Sequence, residues 1–175
     1  MTTACFAIDP GRPHSHAAPA DELTALDDPG TCDVIQDCFD LDAEELTLRW
    51  HQTQVSLSYK YDLSFMCDDV AAMVIAVASA DRGQVVIGFP SSDFRAVWAL
   101  TWGDGRVRVD AAWDEVGAAT AALRAAPTIE LATRAFLDAW RRPLEILAAA
   151  LAGSGYDLAR VRGVPALHHA LALLA

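Results

Sequence analysis

Metal chemistry would need several donors converging at set spacing, and the nearest donors in this chain are His14 with His16, Cys32 with Cys38, and the adjacent His168-His169. A Cys-x5-Cys interval is not that of a zinc knuckle, and neighbouring histidines on a helix point about 100° apart, where an i, i+4 pair would chelate. Nucleophilic catalysis would need an activated serine or cysteine beside a base. "AGSGY" around Ser154 lacks the G-x-S-x-G elbow, and "PSSDF" around Ser91 and Ser92 reads as a turn closed by Asp93. Cys67 precedes a helix start whose dipole favours a thiolate, but Asp68 and Asp69 oppose that charge, so it reads as a structural thiol. The paired carboxylates Asp27-Asp28, Glu44-Glu45, Asp68-Asp69 and Asp114-Glu115 suit helix starts and solvated loops. "GDG" is a hairpin turn and "GSG" a helix stop, so neither is a phosphate cradle. The sequence therefore assigns no catalytic residue, no metal ligand and no cofactor.

The elements that would position any site begin after an irregular stretch. Residues 10 to 31 are rich in Pro, Gly, Ala and Asp, with one short helical turn expected at "ADELTAL". Val34, Ile35, Cys38, Phe39 and Leu41 fit a strand or a short helix equally well. In "LTLRWHQTQVSLSYKY" the apolar positions change phase, and a hairpin turning at Gln52-Thr53 would pair Trp50 with Val55, Leu48 with Leu57 and Leu46 with Tyr59. One long strand with a bulge is the alternative. Val70, Met73, Val74 and Val77 recur at helical spacing, which predicts a helix over 69 to 81 with Asp68 as N-cap and Gly83 beyond its end. "QVVIGF" is a strand stopped by Pro90.

The stretch "FRAVWALTWGDGRVRVDAAW" holds three of the five tryptophans. A turn at Asp104-Gly105 sets Trp98, Leu100 and Trp102 opposite Ala111, Val109 and Val107, and leaves Ala99, Thr101, Arg106, Arg108 and Asp110 on the other face. Indoles in an apolar row at strand spacing belong to a core. Beyond Trp113 the chain turns helical, with Asp114 capping "EVGAATAALRAA" and a longer run from Thr128 to Leu151 whose buried stripe is Phe136, Trp140, Leu144, Leu147 and Leu151. Pro143 predicts a kink or break in that run. A terminal helix, "PALHHALALLA", is apolar almost throughout and must either dock on the body or form a homodimer contact. The fold class is α+β: an antiparallel sheet built from hairpins, helices packed on one face, and a helical C-terminal half.

Charge divides the chain more sharply than composition does. Residues 1 to 45 hold eleven acids against Arg12 alone, a balance of −10, whereas residues 46 to 175 hold thirteen acids against twelve bases, a balance of −1. The reading is an acidic N-terminal arm, 1 to 45, ahead of a single α+β domain, 46 to 175. Nucleic-acid binding is disfavoured, because there is no basic cluster larger than Arg141-Arg142 and Lys60 is the only lysine. No apolar run reaches the ~20 residues a bilayer requires, and "MTTACFAIDPGRPHSH" lacks the pattern of a signal peptide. The expectation is a cytoplasmic protein without a membrane partner, its four cysteines kept as thiols.

Asp33, Asp37, Asp40, Asp42, Glu44 and Glu45 then become candidates for steering a basic protein partner, with Tyr59, Tyr61 and Phe94 as exposed aromatic anchors. In size, charge and element order, though in no diagnostic motif, the chain resembles bacterial immunity proteins of toxin–antitoxin systems and, secondarily, small acidic secretion chaperones. The first resemblance implies a non-enzymatic inhibitor of a basic toxin. The competing reading is a small-molecule-binding or enzymatic domain whose pocket, between sheet and helices, is lined by Trp50, Trp98, Trp102 and Trp140 with His51 or Asp110 as its polar group.

Overall fold

The computed structural model describes residues 6–18 and 27–175, so Cys5 and the turn expected at "ADELTAL" lie outside the described residues. Strands form two antiparallel sheets. The first has the order β1-β2-β3, with β1 Phe6–Asp9, β2 Leu46–Trp50 and β3 Thr53–Leu57. The second runs β4-β5-β6-β7, with β4 Gly83–Pro90, β5 Arg95–Gly103, β6 Arg106–Glu115 and β7 Thr128–Ala132. The α-helices are α1 Thr31–Cys38, α2 Ser64–Ser79, α3 Thr120–Ala125, α4 Thr133–Gly153 and α5 Val164–Leu174.

The β5–β6 hairpin has the expected register, Trp98 opposite Ala111, Leu100 opposite Val109 and Trp102 opposite Val107, with Asp104 and Gly105 both at positive φ in the turn. Its apolar row is buried and its Arg106 and Arg108 are exposed. Trp98 is the hub: Phe6, Trp50, Phe89, Phe94, Trp113 and Trp140 all place rings within 6.4 Å of it. The tryptophans are core, since edge-on and tilted contacts of this kind hold large rings together beyond their area burial. Trp50 Nε1 also donates to Ala126 O at 2.8 Å, joining the first sheet to the loop before β7.

Several local expectations are corrected. The β2–β3 hairpin turns at His51-Gln52, pairing Leu46 with Leu57, Leu48 with Val55 and Trp50 with Thr53. This register differs by two residues, which keeps the same side chains inward. His51 takes the left-handed conformation, φ 53°, in the turn position where glycine or asparagine would be favoured. Tyr59 leaves the strand and opens a π-helical turn, Tyr59–Leu63, which Ser58 caps by accepting from Tyr61 N and which runs into α2. The helix therefore starts before Asp68, which accepts from Thr31 Oγ1 at 2.7 Å instead of capping. Gly83 starts β4, opposite Trp102, where a Cβ would fall 2.4 Å from the indole. Thr128 begins a strand and not a helix, and α3 is shorter than expected because β6 continues to Glu115. Pro143 is buried within α4, which continues unbroken across it.

The core does not stop at residue 45. Phe6 packs against Phe136 at 5.3 Å, and Val34, Ile35, Cys38 and Phe39 are fully buried, so the apolar run that begins at Val34 resolves as the helix α1 as far as Cys38, with Phe39 extended beyond it and Leu41 turned out to the surface. At the other end of the chain, α5 buries Val164, Leu167, Ala170 and Leu174 while packing on α2 and α4.

Candidate functional site

The acidic residues occupy one region, built from α1, the turn after it and the irregular segment 10–18. His16 N donates to Cys38 O at 3.0 Å, Ser15 bridges to Phe39, and Tyr59 Oη donates to Pro10 O at 2.8 Å, which fastens 10–18 alongside 38–45. The two segments approach so closely that Gly11, at φ 62°, leaves only 2.8 Å between an added Cβ and Glu45 O. A side chain there would part them.

Within this frame the six candidate carboxylates separate into two groups. Asp33 accepts from Gly30 N at 2.8 Å in the first turn of α1, and Asp37, half-buried, accepts from Tyr156 Oη at 2.7 Å. Both hold the fold. Asp40, Asp42, Glu44 and Glu45 are exposed. Asp40 lies 3.4 Å from His16 Nε2, and with Asp42, Glu44, Arg12 and His14 it lines an open cleft. Among the described residues, no arginine or lysine comes within 4.0 Å of any of the six carboxylates. Lys60, the only lysine, donates to Gln36 O at 2.5 Å and Phe39 O at 3.0 Å, closing the C-terminal end of α1.

Of the three aromatic residues expected at the surface, only Tyr61 is there, 46% exposed. Tyr59 and Phe94 are corrected to core positions. Tyr59 stacks on Phe39 at 5.2 Å, and burial pushes its hydroxyl well above the ordinary phenol range, with Asp9 and Glu44 adding to the rise against Arg142. Phe94 packs on Phe89 and Trp113. Leu41, 75% exposed, and Phe65, 48% exposed, are surface residues that sequence reasoning did not single out. The signal for Phe65 was its spacing of four from Tyr61, visible only once the helix is known to start before it.

The features of the pocket reading are dispersed. Trp50, Trp98 and Trp140 are at most 1% exposed and fill space. His51 Nε2 is bonded to Thr128 O at 2.8 Å, and Asp110 accepts from Arg108 and from Thr128 Oγ1 at 2.6 Å, an arrangement that lowers its carboxyl below the ordinary range. Trp102 borders a surface cleft with Asp81 and Arg134 but donates Nε1 to Ala80 O. Burial raises all three described thiols, Cys38 to about 11 and Cys67 to about 12, so none is poised as a nucleophile. Among the described residues no group of three or more His, Cys, Asp or Glu could hold a metal ion, and no helix is long and apolar enough to cross a membrane.

Among the described residues the buried carboxylate is Asp62, 5% exposed, which accepts from Ser58 N at 2.9 Å and, through a short contact, from Ser91 Oγ. Burial raises its carboxyl above the usual range, and Asp93 and Glu45 add to the effect against those two hydrogen bonds. It ties the π-helical turn to the β4–β5 connection.

Comparison with known proteins adds no assignment: no family model matches the chain, and neither a curated protein nor a solved structure is significantly similar to it.

Proposed function

We propose that the protein is a non-enzymatic binding and inhibitory protein that captures a basic protein partner, of the kind represented by bacterial immunity proteins that neutralise a cationic toxin. What carries the reading is the pairing of charges. Arginines on the second sheet and on α4, and Arg162 with Asp28, are matched to carboxylates, whereas Asp40, Asp42, Glu44 and Glu45 have no guanidinium or ammonium within ion-pair distance among the described residues. An uncompensated set of this kind projects negative potential outward, which accelerates encounter with a cationic surface and repels nucleic acid and anionic lipid. Catalysis draws no comparable support, because the buried indoles fill the core and the described thiols are held protonated.

The reading is tested with a fluorescein-labelled arginine-rich peptide as the basic probe. Binding should weaken steeply as salt rises, and joint replacement of Asp40, Asp42, Glu44 and Glu45 by lysine should weaken it by about a hundredfold or more at low ionic strength. Reversal of Asp81 and Asp104, which stand elsewhere on the body, should leave most of the affinity. A probe that does not bind, or that binds the fourfold variant as well as the parent, overturns the proposal.

A further inference from the structure

We propose that the outward side of the π-helical turn and the start of α2, centred on Tyr61 and Phe65, is an anchor site that seats an apolar side chain of a partner protein flanked by arginines or lysines. The inference rests on the cation-capturing reading above and adds to it where the contact is made and what the partner must present.

Three bonds set the geometry. Thr31 Oγ1 donates to Asp68, Gln36 Nε2 to Ser64 Oγ at 3.3 Å, and Lys60 Nζ to Phe39 O, so α1 lies antiparallel along the π-helical turn and the first half of α2. Leu63, Met66, Cys67 and Val70 face the core. Tyr61 and Phe65, one turn apart, face away from it and are 46% and 48% exposed. They continue into Asp68, Asp69 and the exposed Ala72, and α2 carries no lysine or arginine over its whole length. Lys60, the cation nearest the two rings in sequence, has its ammonium committed to the carbonyls of α1.

The surface is thus an aromatic pair with a carboxylate rim. Charge decides among the occupants it could take. A second copy of the same face would set Asp68 and Asp69 against their own equivalents, and an anionic bilayer would meet the same repulsion. A cationic segment meets attraction instead, with its guanidinium groups able both to pair with the carboxylates and to lie over the ring faces. Burial and the neighbouring Asp68 hold the Asp69 carboxyl above its ordinary range, and an approaching cation favours its ionised form. Affinity at such sites concentrates in central aromatic anchors, and steering charges surround them.

Two labelled peptides of equal charge separate anchor from field, one alternating arginine with leucine and the other arginine with serine. The parent protein should hold the leucine-bearing peptide about tenfold or more tighter. Joint Tyr61→Ser and Phe65→Ser substitution should erase that preference while leaving the serine-bearing peptide little affected, and Phe65→Leu should retain most of it. Thermal melts of each variant verify that these exposed changes leave the fold intact. Equal affinity of the parent for both peptides, or a preference that survives the double substitution, overturns the anchor and leaves the cation-capturing reading standing. Failure of both peptides to bind overturns the two together.

Discussion

The outer face of the second sheet and the face formed by α1 with the turn after it carry charges of opposite social habit. On the sheet, Arg95 meets Asp114, Arg106 meets Glu130 and Arg108 meets Asp110, so each guanidinium is answered on its own strand or on the adjacent one. On the other face, carboxylates meet a backbone amide at Gly30, a phenol at Tyr156, a histidine at His16, or nothing but solvent. Exposed ion pairs contribute little stability, and the sheet pairs are no exception. Their effect is to cancel field locally. The contrast teaches that net charge is a poor guide to where a surface acts, since a body carrying twenty-five charged groups is electrically quiet and a short segment is not.

The strongest attempt to break the contrast is to remove the acidic segment altogether. Deleting residues 1–44 should abolish cooperative unfolding, read by circular dichroism in urea, because Phe6, Val34, Ile35, Cys38 and Phe39 leave the core with it. A truncated chain that melts cooperatively would show that the acids can be separated from the fold. The next effect is Ser91→Ala, which strips Asp62 of its hydroxyl donor and should cost about 1–3 kcal/mol in chemical denaturation.

Asp62 also has a signature in pH. Its folded carboxyl is raised above the unfolded value, so between those two values the native state binds the extra proton and stability falls as pH rises, levelling off above the folded value. Asp62→Asn should flatten that portion of a stability-against-pH curve, and an unchanged slope would place the titration elsewhere. Smaller again is the effect of neutralising the exposed set with Asp40→Asn, Asp42→Asn, Glu44→Gln and Glu45→Gln, which should raise the melting temperature by about 2 °C at low salt and less at high salt. The matched replacement Arg106→Gln with Glu130→Gln should produce the smallest change, with no resolvable shift in the melt. A shift there as large as that of the acidic set would erase the distinction between the faces.

How much of this was legible depended on how local the determinants were. The β5–β6 hairpin could be written down residue by residue, because Asp104-Gly105 supplies the turn and the tryptophan row supplies the register within twenty positions. β1 could not, because its four residues become a strand only by pairing with Leu46–Trp50, some forty positions away. β7 was masked by continuity: its Ile129 and Leu131 alternate, but Thr133 starts a helix immediately after it. The start of α2 was displaced because Ser58 caps a π-helical turn, a rare form with no periodicity of its own. For the candidate site, the charge asymmetry was visible in the sequence, but which carboxylates are engaged in holding α1 was not. Nor was the burial of Tyr59 and Phe94, which depends on Phe39, Phe89 and Trp113 arriving from other elements.

The clustering of indoles around Trp98 has an optical consequence. Five tryptophans are held at 9% exposure or less, and the buried Nε1 of Trp98, Trp113 and Trp140 has no hydrogen-bond acceptor among the described residues. Native emission should be blue-shifted, and excitation should hop among neighbouring rings, so that fluorescence depolarises even while the molecule tumbles slowly. Any loosening of the centre would redden the spectrum and restore polarisation, which gives the chain a built-in gauge of its own integrity without an added label.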